Sequence, residues 1–312
     1  MIASVKALQG RDFLDIADLD ARELRQVLDL AHSIKKVGRR PGRPLDGHHI
    51  AMLFQKPSHR TRVSFEVGIA RLGGKSTTLS EQDVQLGVRE TVGDAARVLD
   101  RYVDGIVARL RSHQDLLELA ASSTKPVINA LTDRSHPCQV LADLVTLEEV
   151  KGELSKQQVV YIGDGNNIVA SLIEASALAG FALTVITPPE YHPKAEVLER
   201  ARSISTGKLQ VALTSDLAGL DDATAIYTDV WASMGHESEM EARRKAFAPY
   251  QVNQAVMESA PRAVFMHCLP AHRGEEVTDE VIDGTRSVVF DQAENRLYAQ
   301  MALMTLLLGA GE

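Results

Sequence analysis

A chain of 312 residues is longer than one ordinary domain, so two cores are expected. Its 34 Lys+Arg stand against 42 Asp+Glu, a net charge of −8 with the basic residues scattered, which excludes the footprint of a nucleic-acid or anionic-membrane binder. Two cysteines, Cys138 and Cys268, exclude a disulfide framework; with no apolar leader before Leu8 and an apolar run, Met301–Ala310, too short to cross a bilayer, a cytoplasmic protein is expected.

Asp20 and Glu23 stand at capping-box spacing ahead of Leu24, Val27, Leu28, Ala31 and Ile34, which predicts an amphipathic helix over Ala21–Lys36. After the turn-rich stretch Gly38–Pro44, short apolar runs alternate with helical patterns. The runs are His49–Phe54, Gly105–Leu110, Pro126–Ala130, Gln158–Gly163, Ala182–Thr187, Ala225–Val230, Ala263–Leu269 and Ser287–Asp291. That rhythm predicts parallel βαβ units. Pro137–Gly152 is expected as a helix with Val140, Leu141, Leu144, Val145 and Leu147 inside, and the polar stretch Lys151–Gln157 separates two domains. The reading is an α/β protein of two domains, residues 1–148 and 149–293, each a parallel sheet flanked by helices. A C-terminal helix in residues 294–312 is expected to return to the first domain.

The strand His49–Phe54 leads through Gln55-Lys-Pro into Ser58-His59-Arg60-Thr61-Arg62, then into a helix carrying Val63, Phe65, Val67, Ile69 and Leu72. A helix start offers unpaired N–H groups and the positive end of the dipole. Together with the hydroxyls of Ser58 and Thr61 and the Arg60 guanidinium, it forms an anion site suited to a small phosphoryl compound. The same residues also read as an ordinary Ser N-cap with solvated arginines. No Gly-x-x-x-x-Gly-Lys-Ser/Thr run is present, and Gly163-Asp-Gly165-Asn-Asn-Ile168 lacks the third glycine of a dinucleotide turn.

Three further clusters close predicted strands, where open α/β sheets bind ligands. His136-Pro137-Cys138-Gln139 offers an imidazole and an amide, and equally a structural helix cap. Asp229-Val-Trp-Ala-Ser233-Met234-Gly235 offers a carboxylate and a hydroxyl to the amino and carboxylate groups of an amino acid. His267-Cys268-Leu269-Pro270-Ala271 offers a thiol, and equally a packed cysteine. The His/Cys pairs lack zinc spacing, so neither a metal nor another cofactor is expected.

Taken in order, Ser58-His-Arg-Thr-Arg-Val-Ser-Phe-Glu66, His136-Pro-Cys-Gln-Val-Leu-Ala-Asp143, Asp229-Val-Trp-Ala-Ser-Met-Gly235 and His267-Cys-Leu-Pro-Ala271 resemble the aspartate/ornithine carbamoyltransferase family from about Asp12 to Leu308. The first two motifs look like the family's carbamoyl-phosphate signature, the last two like its ornithine branch. The resemblance implies a carbamoyl-phosphate domain and an ornithine domain. It also implies transfer of the carbamoyl group of carbamoyl phosphate to the side-chain amine of L-ornithine, giving L-citrulline and phosphate, by a homotrimer whose subunits share active sites.

By position, the resemblance assigns carbamoyl phosphate to Ser58, His59, Arg60, Thr61, Arg109, His136, Gln139, Cys268, Leu269 and Arg296, with Gln85 reaching into a neighbouring subunit's site. His59 stands where Thr is common in ornithine enzymes, so its backbone N–H is the contact expected. Asn167, Asp229, Ser233 and Met234 match the ornithine site. Arg109, His136, Asp229 and Cys268 are the implied catalytic residues, the first two at the carbonyl oxygen and the last two at the attacking amine. The loop around Ser233–His236 is expected to close over the substrates. The partners are then two small molecules, with no nucleic acid and no membrane. Three other readings stand beside this one: a transferase for another amine such as putrescine or a modified ornithine, a silent relative that binds carbamoyl phosphate without turnover, and an unrelated Rossmann oxidoreductase, against which the missing third glycine counts.

Overall fold

The structure, a computed structural model, describes residues 8–38, 42–205, 207–232 and 239–309. They fall into two compact units, one taking the chain up to Ala142 and again from Arg296, the other Asp143–Asn295.

Unit 1 runs α1 (Ala21–Val37), β1 (His49–Phe54), α2 (His59–Arg71), β2 (Lys75–Ser80), α3 (Glu81–Val84), α4 (Val92–Leu99), β3 (Gly105–Arg109), α5 (His113–Ser122) and β4 (Val127–Leu131), then enters α6 (Pro137–Lys151). The capping box read from Asp20 and Glu23 forms: Glu23 N donates to Asp20 Oδ1 at 2.7 Å, and Asp20 N to Glu23 Oε2 at 2.9 Å. Two first-turn donors are thereby satisfied, and α1 buries the predicted stripe of Leu24, Val27, Leu28, Ala31 and Ile34. The sheet is parallel throughout, in the order β2-β1-β3-β4. Strands β1, β3 and β4 are apolar and buried nearly end to end, the pattern expected of strands covered on both faces. Each fully buried Val, Ile, Leu or Phe contributes about 1.5–3 kcal/mol over its exposed form, so the strand ends that carry the functional loops are firmly held. In α2, Phe65 and Ile69 are buried, whereas Val63 and Val67, four residues apart on one face, point outward.

Unit 2 takes up α6 from Asp143 and continues β5 (Gln158–Ile162), α7 (Asn167–Ala179), β6 (Ala182–Ile186), α8 (Ala195–Ile204), β7 (Val211–Thr214), β8 (Ala225–Thr228), α9 (Met240–Phe247), α10 (Gln254–Ser259), β9 (Val264–His267), α11 (Asp279–Ile282) and the first turns of α12 (Val289–Leu308). Its parallel sheet has the order β7-β6-β5-β8-β9, and Ile162, Ile226, Phe265 and Val281 lie in its core. From Arg296 onward α12 belongs to unit 1, so the C-terminal helix packs on the first domain as predicted. Gly68 of α2 admits it: a Cβ there would lie 3.1 Å from Met301 Cγ and 3.3 Å from Met304 Cε. No described helix is long and apolar enough to cross a membrane.

Two strands escape the sequence pattern, β2 and β7. Both are sheet edges with half-exposed faces, so β2 is almost wholly polar and β7 has only the short apolar run Val211–Leu213. The predicted strand Ser287–Asp291 is corrected. Ser287 makes a single bridge to Phe265, and the helix opens at Val289, ahead of the predicted start at Glu294. Val288 and Val289 are buried, and so short an apolar run fits a strand or a buried helix start equally well.

Candidate active site

In unit 1, the loops that carry the predicted residues leave the carboxyl ends of β1, β3 and β4. Ser58 is the N-cap of α2 but makes no side-chain capping bond, so capping does not account for its hydroxyl. His59 is exposed, Arg60 half-buried and Thr61 buried. Arg109 ends β3 just after a register shift against β4, and its carbonyl accepts from Gln55 N at 3.0 Å. Beyond β4, Asn129 Nδ2 donates to Leu14 O at 2.7 Å and to Ser135 Oγ at 2.9 Å. That folds the loop back and brings buried His136 to the start of α6. Pro137 opens the helix, where a missing N–H is harmless, and Gln139 N donates to His136 O at 3.1 Å.

Arg296 ties these loops together. Its Nη1 donates to Gln139 Oε1 at 2.7 Å and its Nη2 to Thr61 Oγ1 at 3.2 Å. With the Gln300 amide oriented to suit its neighbours, the amide oxygen accepts from Arg296 Nε and Nη2 at 3.1 and 3.0 Å, and the nitrogen donates to Ser64 Oγ at 2.7 Å. Because Thr61 accepts from Arg296, its hydroxyl proton is directed elsewhere. Gln85 lies apart, exposed at the end of α3 in the left-handed conformation, φ 46°. A cavity of about 690 Å³ lined by Ser58, His59, Arg62, Thr78 and Gln82 takes in the exposed end of the motif but not Arg109, His136 or Gln139.

Burial holds the His136 imidazole well below its ordinary 6.5, and the guanidiniums of Arg296, Arg109 and Arg60 lower it further. Three cations thus converge on a neutral ring. As the pH falls below 6.5 the unfolded chain gains a proton at this histidine while the folded chain does not, so folding stability is lost in that window. Urea unfolding from pH 7.5 to 5 is expected to give His136→Gln a shallower loss of stability than the parent, by up to about 1.4 kcal/mol per pH unit. Equal slopes would show that the ring protonates normally. Neighbouring Cys138 is buried, donates to Asn129 O at 3.3 Å and has its thiol raised to about 12 by burial, which marks it as packing.

In unit 2, the turn after β5 explains its own glycines. A Cβ on Gly165 would come within 2.4 Å of Tyr191 O and Pro193 N, and Gly165 N donates to Tyr191 O at 2.9 Å, so this glycine serves a close main-chain approach. Asn166 caps α7 by accepting from Ile168 N and Val169 N, while its Nδ2 donates to Asp229 Oδ2 at 2.7 Å. Cys268 Sγ donates to Asp229 Oδ1 at 3.1 Å, so both oxygens of this carboxylate are held. Asn167, the predicted residue, is the first of α7; Asn166 beside it is the one that positions Asp229. Arg243 joins the loops after β5 and β8, pairing with Asp164 at 2.9 Å and donating to Trp231 O at 3.0 Å. Neither Asn166 nor Arg243 stands out in the sequence; the N-cap position of Asn166 was the one available signal. Ser233 and Met234 lie outside the described residues.

Asp229, His267 and Cys268 bring three ligand-type atoms within 4.8 Å of one another. Both His267 ring nitrogens and the Cys268 thiol are engaged in hydrogen bonds inside the unit.

Residues 11–149 match the carbamoyl-P binding domain of aspartate/ornithine carbamoyltransferase, and residues 155–307 match its Asp/Orn binding domain. The chain belongs to the aspartate/ornithine carbamoyltransferase family. An ornithine carbamoyltransferase of Thermococcus kodakarensis is 51% identical over 98% of each chain. An anabolic ornithine carbamoyltransferase of Pyrococcus furiosus is likewise 51% identical over 98% of each chain. The solved structure of an ornithine carbamoyltransferase from Pyrococcus furiosus superimposes with a TM-score of 0.91 at 49% identity, covering 98% of this chain and 99% of that one. Among family members, then, the chain is similar to ornithine enzymes through both units.

Proposed function

We propose that unit 1 holds carbamoyl phosphate and unit 2 holds L-ornithine, in an enzyme that transfers the carbamoyl group to the ornithine side-chain amine and releases L-citrulline and phosphate. The observation that carries this assignment is His136, a neutral imidazole inside the field of three guanidiniums. Such a field draws in a multiply charged phosphate, and the ring, unable to take up a fourth positive charge, serves as a neutral hydrogen-bond partner.

Arg60 and the start of α2, with the Ser58 hydroxyl and the His59 N–H, hold the phosphate. Arg109, His136 and the Thr61 hydroxyl donate to the carbonyl oxygen as it gains charge, each donor of this kind being worth roughly 3–4 kcal/mol. Gln139 and Leu269 orient the carbamoyl amide, and Arg296 keeps Gln139 and Thr61 aimed. The bond formed joins the amine nitrogen to the carbonyl carbon; the bond broken releases phosphate, which accepts the proton the amine sheds. Asp229 and Cys268 orient that amine, and Cys268 also borders the carbamoyl group; it acts by position and forms no covalent bond. Asn167, Ser233 and Met234 complete the amino-acid site.

Exposed Gln85 on α3 and the outward Val63 and Val67 of α2 support a homotrimer in which Gln85 reaches a neighbouring subunit's site. A cytoplasmic role in arginine biosynthesis accords with the anabolic name of the Pyrococcus relative.

Steady-state assays with carbamoyl phosphate and a panel of amines test the reading. L-ornithine is expected to exceed putrescine by roughly 10⁴-fold in kcat/KM, because putrescine leaves the groups meant for the α-amino acid without partners. Comparable rates would replace ornithine with a plain diamine. Light scattering at the mass of three chains checks the trimer.

A further inference from the structure

The segment that carries Gln85 has little core of its own. Helix α3 is a single turn in which no residue is buried, too short to stand without support from its surroundings. Val84 and Leu86 pack its far end against the core of unit 1, and Asp83 Oδ2 caps its start, accepting from Ser80 N at 2.7 Å and Ser80 Oγ at 2.6 Å. The start is also tied across to the sheet by Arg111, just past β3. Its guanidinium closes a fork on Glu81, the first residue of α3: Nη1 donates to Oε1, and Nη2 to Oε2 at 2.7 Å. Glu81 O in turn accepts from Gln85 N at 2.9 Å, so the clamped residue is one hydrogen bond away from the residue that ends the helix in the left-handed conformation.

An exposed ion pair is usually a weak contact, and the two side chains here are 52% and 44% exposed. Two features set this pair apart. The fork is bidentate, which fixes direction as well as distance. The backbone of Arg111 is held on both sides, its N–H donating to Gln55 Oε1 at 2.8 Å and its carbonyl accepting from Asp133 N at 3.2 Å, while Gln55 N donates to Arg109 O at 3.0 Å. The clamp thus hangs from the same strand ends that carry Arg109 and lead to His136.

We propose that Arg111 is a positioning residue for the neighbouring subunit: by clamping Glu81 it sets the turn that presents Gln85 to the next subunit's carbamoyl-phosphate site. Arg111 touches no substrate. The inference rests on the trimer with shared sites proposed above. The competing account is an action inside its own subunit, because Glu81 also lines the cavity of about 690 Å³ that takes in Ser58 and His59.

Arg111→Met is expected to lower kcat/KM for carbamoyl phosphate about tenfold, short of the 10² of a fully misplaced group because the Ser80–Asp83 cap persists. Glu81→Gln should match it, and the double variant should be no worse than either, since all three remove one contact. Arg111→Lys, which keeps the charge without the fork, should fall between Arg111→Met and the parent. Mixed trimers decide where the effect is felt. Full-length Arg111→Met and Arg60→Ala chains, co-expressed with different tags and purified on both, give trimers in which about one site in three takes Arg60 from one kind of chain and α3 from the other. If Arg111 serves the neighbour, that site is parental and the mixed trimers exceed the Arg111→Met enzyme about threefold. If Arg111 serves its own subunit, every site is damaged and the mixed trimers fall to about half the Arg111→Met activity, which overturns the proposal. Parent-like kcat/KM in both Arg111→Met and Glu81→Gln overturns it as well, and Glu81→Gln replaces Arg111→Met in the mixing if the latter does not fold. Gln85→Ala mixed with Arg60→Ala separates the two failures: recovery there without recovery for Arg111→Met removes Arg111 alone, whereas no recovery in either removes the shared site and the proposal with it.

Discussion

Arg60→Ala is expected to lower carbamoyl transfer by 10³-fold or more, about one charged phosphate contact plus one transition-state donor, while leaving the fold in place. Arg60 is the second residue of α2 and half-buried, and it is one of the three cations that lower the His136 pKa. The helix does not depend on it. Phe65 and Ile69 anchor α2 in the core, and alanine is the better helix former. On the proposed assignment, what disappears is a full positive charge where the leaving group would carry its negative charges. Thermal unfolding separates the two effects: parent and variant should melt alike without ligand, whereas about 100 Kd of carbamoyl phosphate should stabilise the parent by about 2.7 kcal/mol and the variant far less. Near-parental turnover would remove Arg60 from the site.

Arg296→Met is expected to lower kcat by about 10²–10³-fold, the loss typical of a disordered set of oxyanion donors, with little change in stability. The guanidinium is buried, donates to Gln139 and Thr61 and shares its surroundings with Arg60 and Arg109. Losing its hydrogen bonds costs about 1–1.5 kcal/mol apiece, while removing a desolvated cation from the company of two others returns a comparable amount. The catalytic balance has no such offset, because Gln139 and Thr61 lose their aim together. Among the charges acting on His136, Arg296 has the largest effect, so the imidazole should titrate higher in the variant. NMR titration checks this directly; an unshifted ring together with normal turnover would place Arg296 outside the site.

Much of this arrangement is legible in sequence because its chemistry lies at strand ends. Arg109, Asp229 and Cys268 each end or directly follow a buried apolar run, and His136 precedes a helix that announces itself with Pro137. Edge strands are another matter. Lys75-Ser-Thr-Thr-Leu-Ser pairs along its whole length with β1, yet its faces are too exposed to need apolar residues. Ser287–Asp291 misleads for the opposite reason, since its buried apolar pair Val288-Val289 stands at a helix start and not in a strand. The supporting residues are the least visible. Asn166 reaches Asp229 across 63 positions, and Gln292 reaches Asp143 across 149, through single hydrogen bonds that no periodicity records.

The discontinuous make-up of unit 1 has a consequence during synthesis. Domains tend to fold as they leave the ribosome, amino-terminal parts first. Here the stretch up to Ala142 emerges with the groove at Gly68 unfilled and with Thr61 and Gln139 awaiting Arg296, and both are supplied only by residues translated after the whole of unit 2. The nascent first unit therefore carries an open apolar surface for the time needed to translate about 150 further residues, some 10–30 s at ordinary rates. On the proposed assignment the anion site would become competent only as its last helix docks.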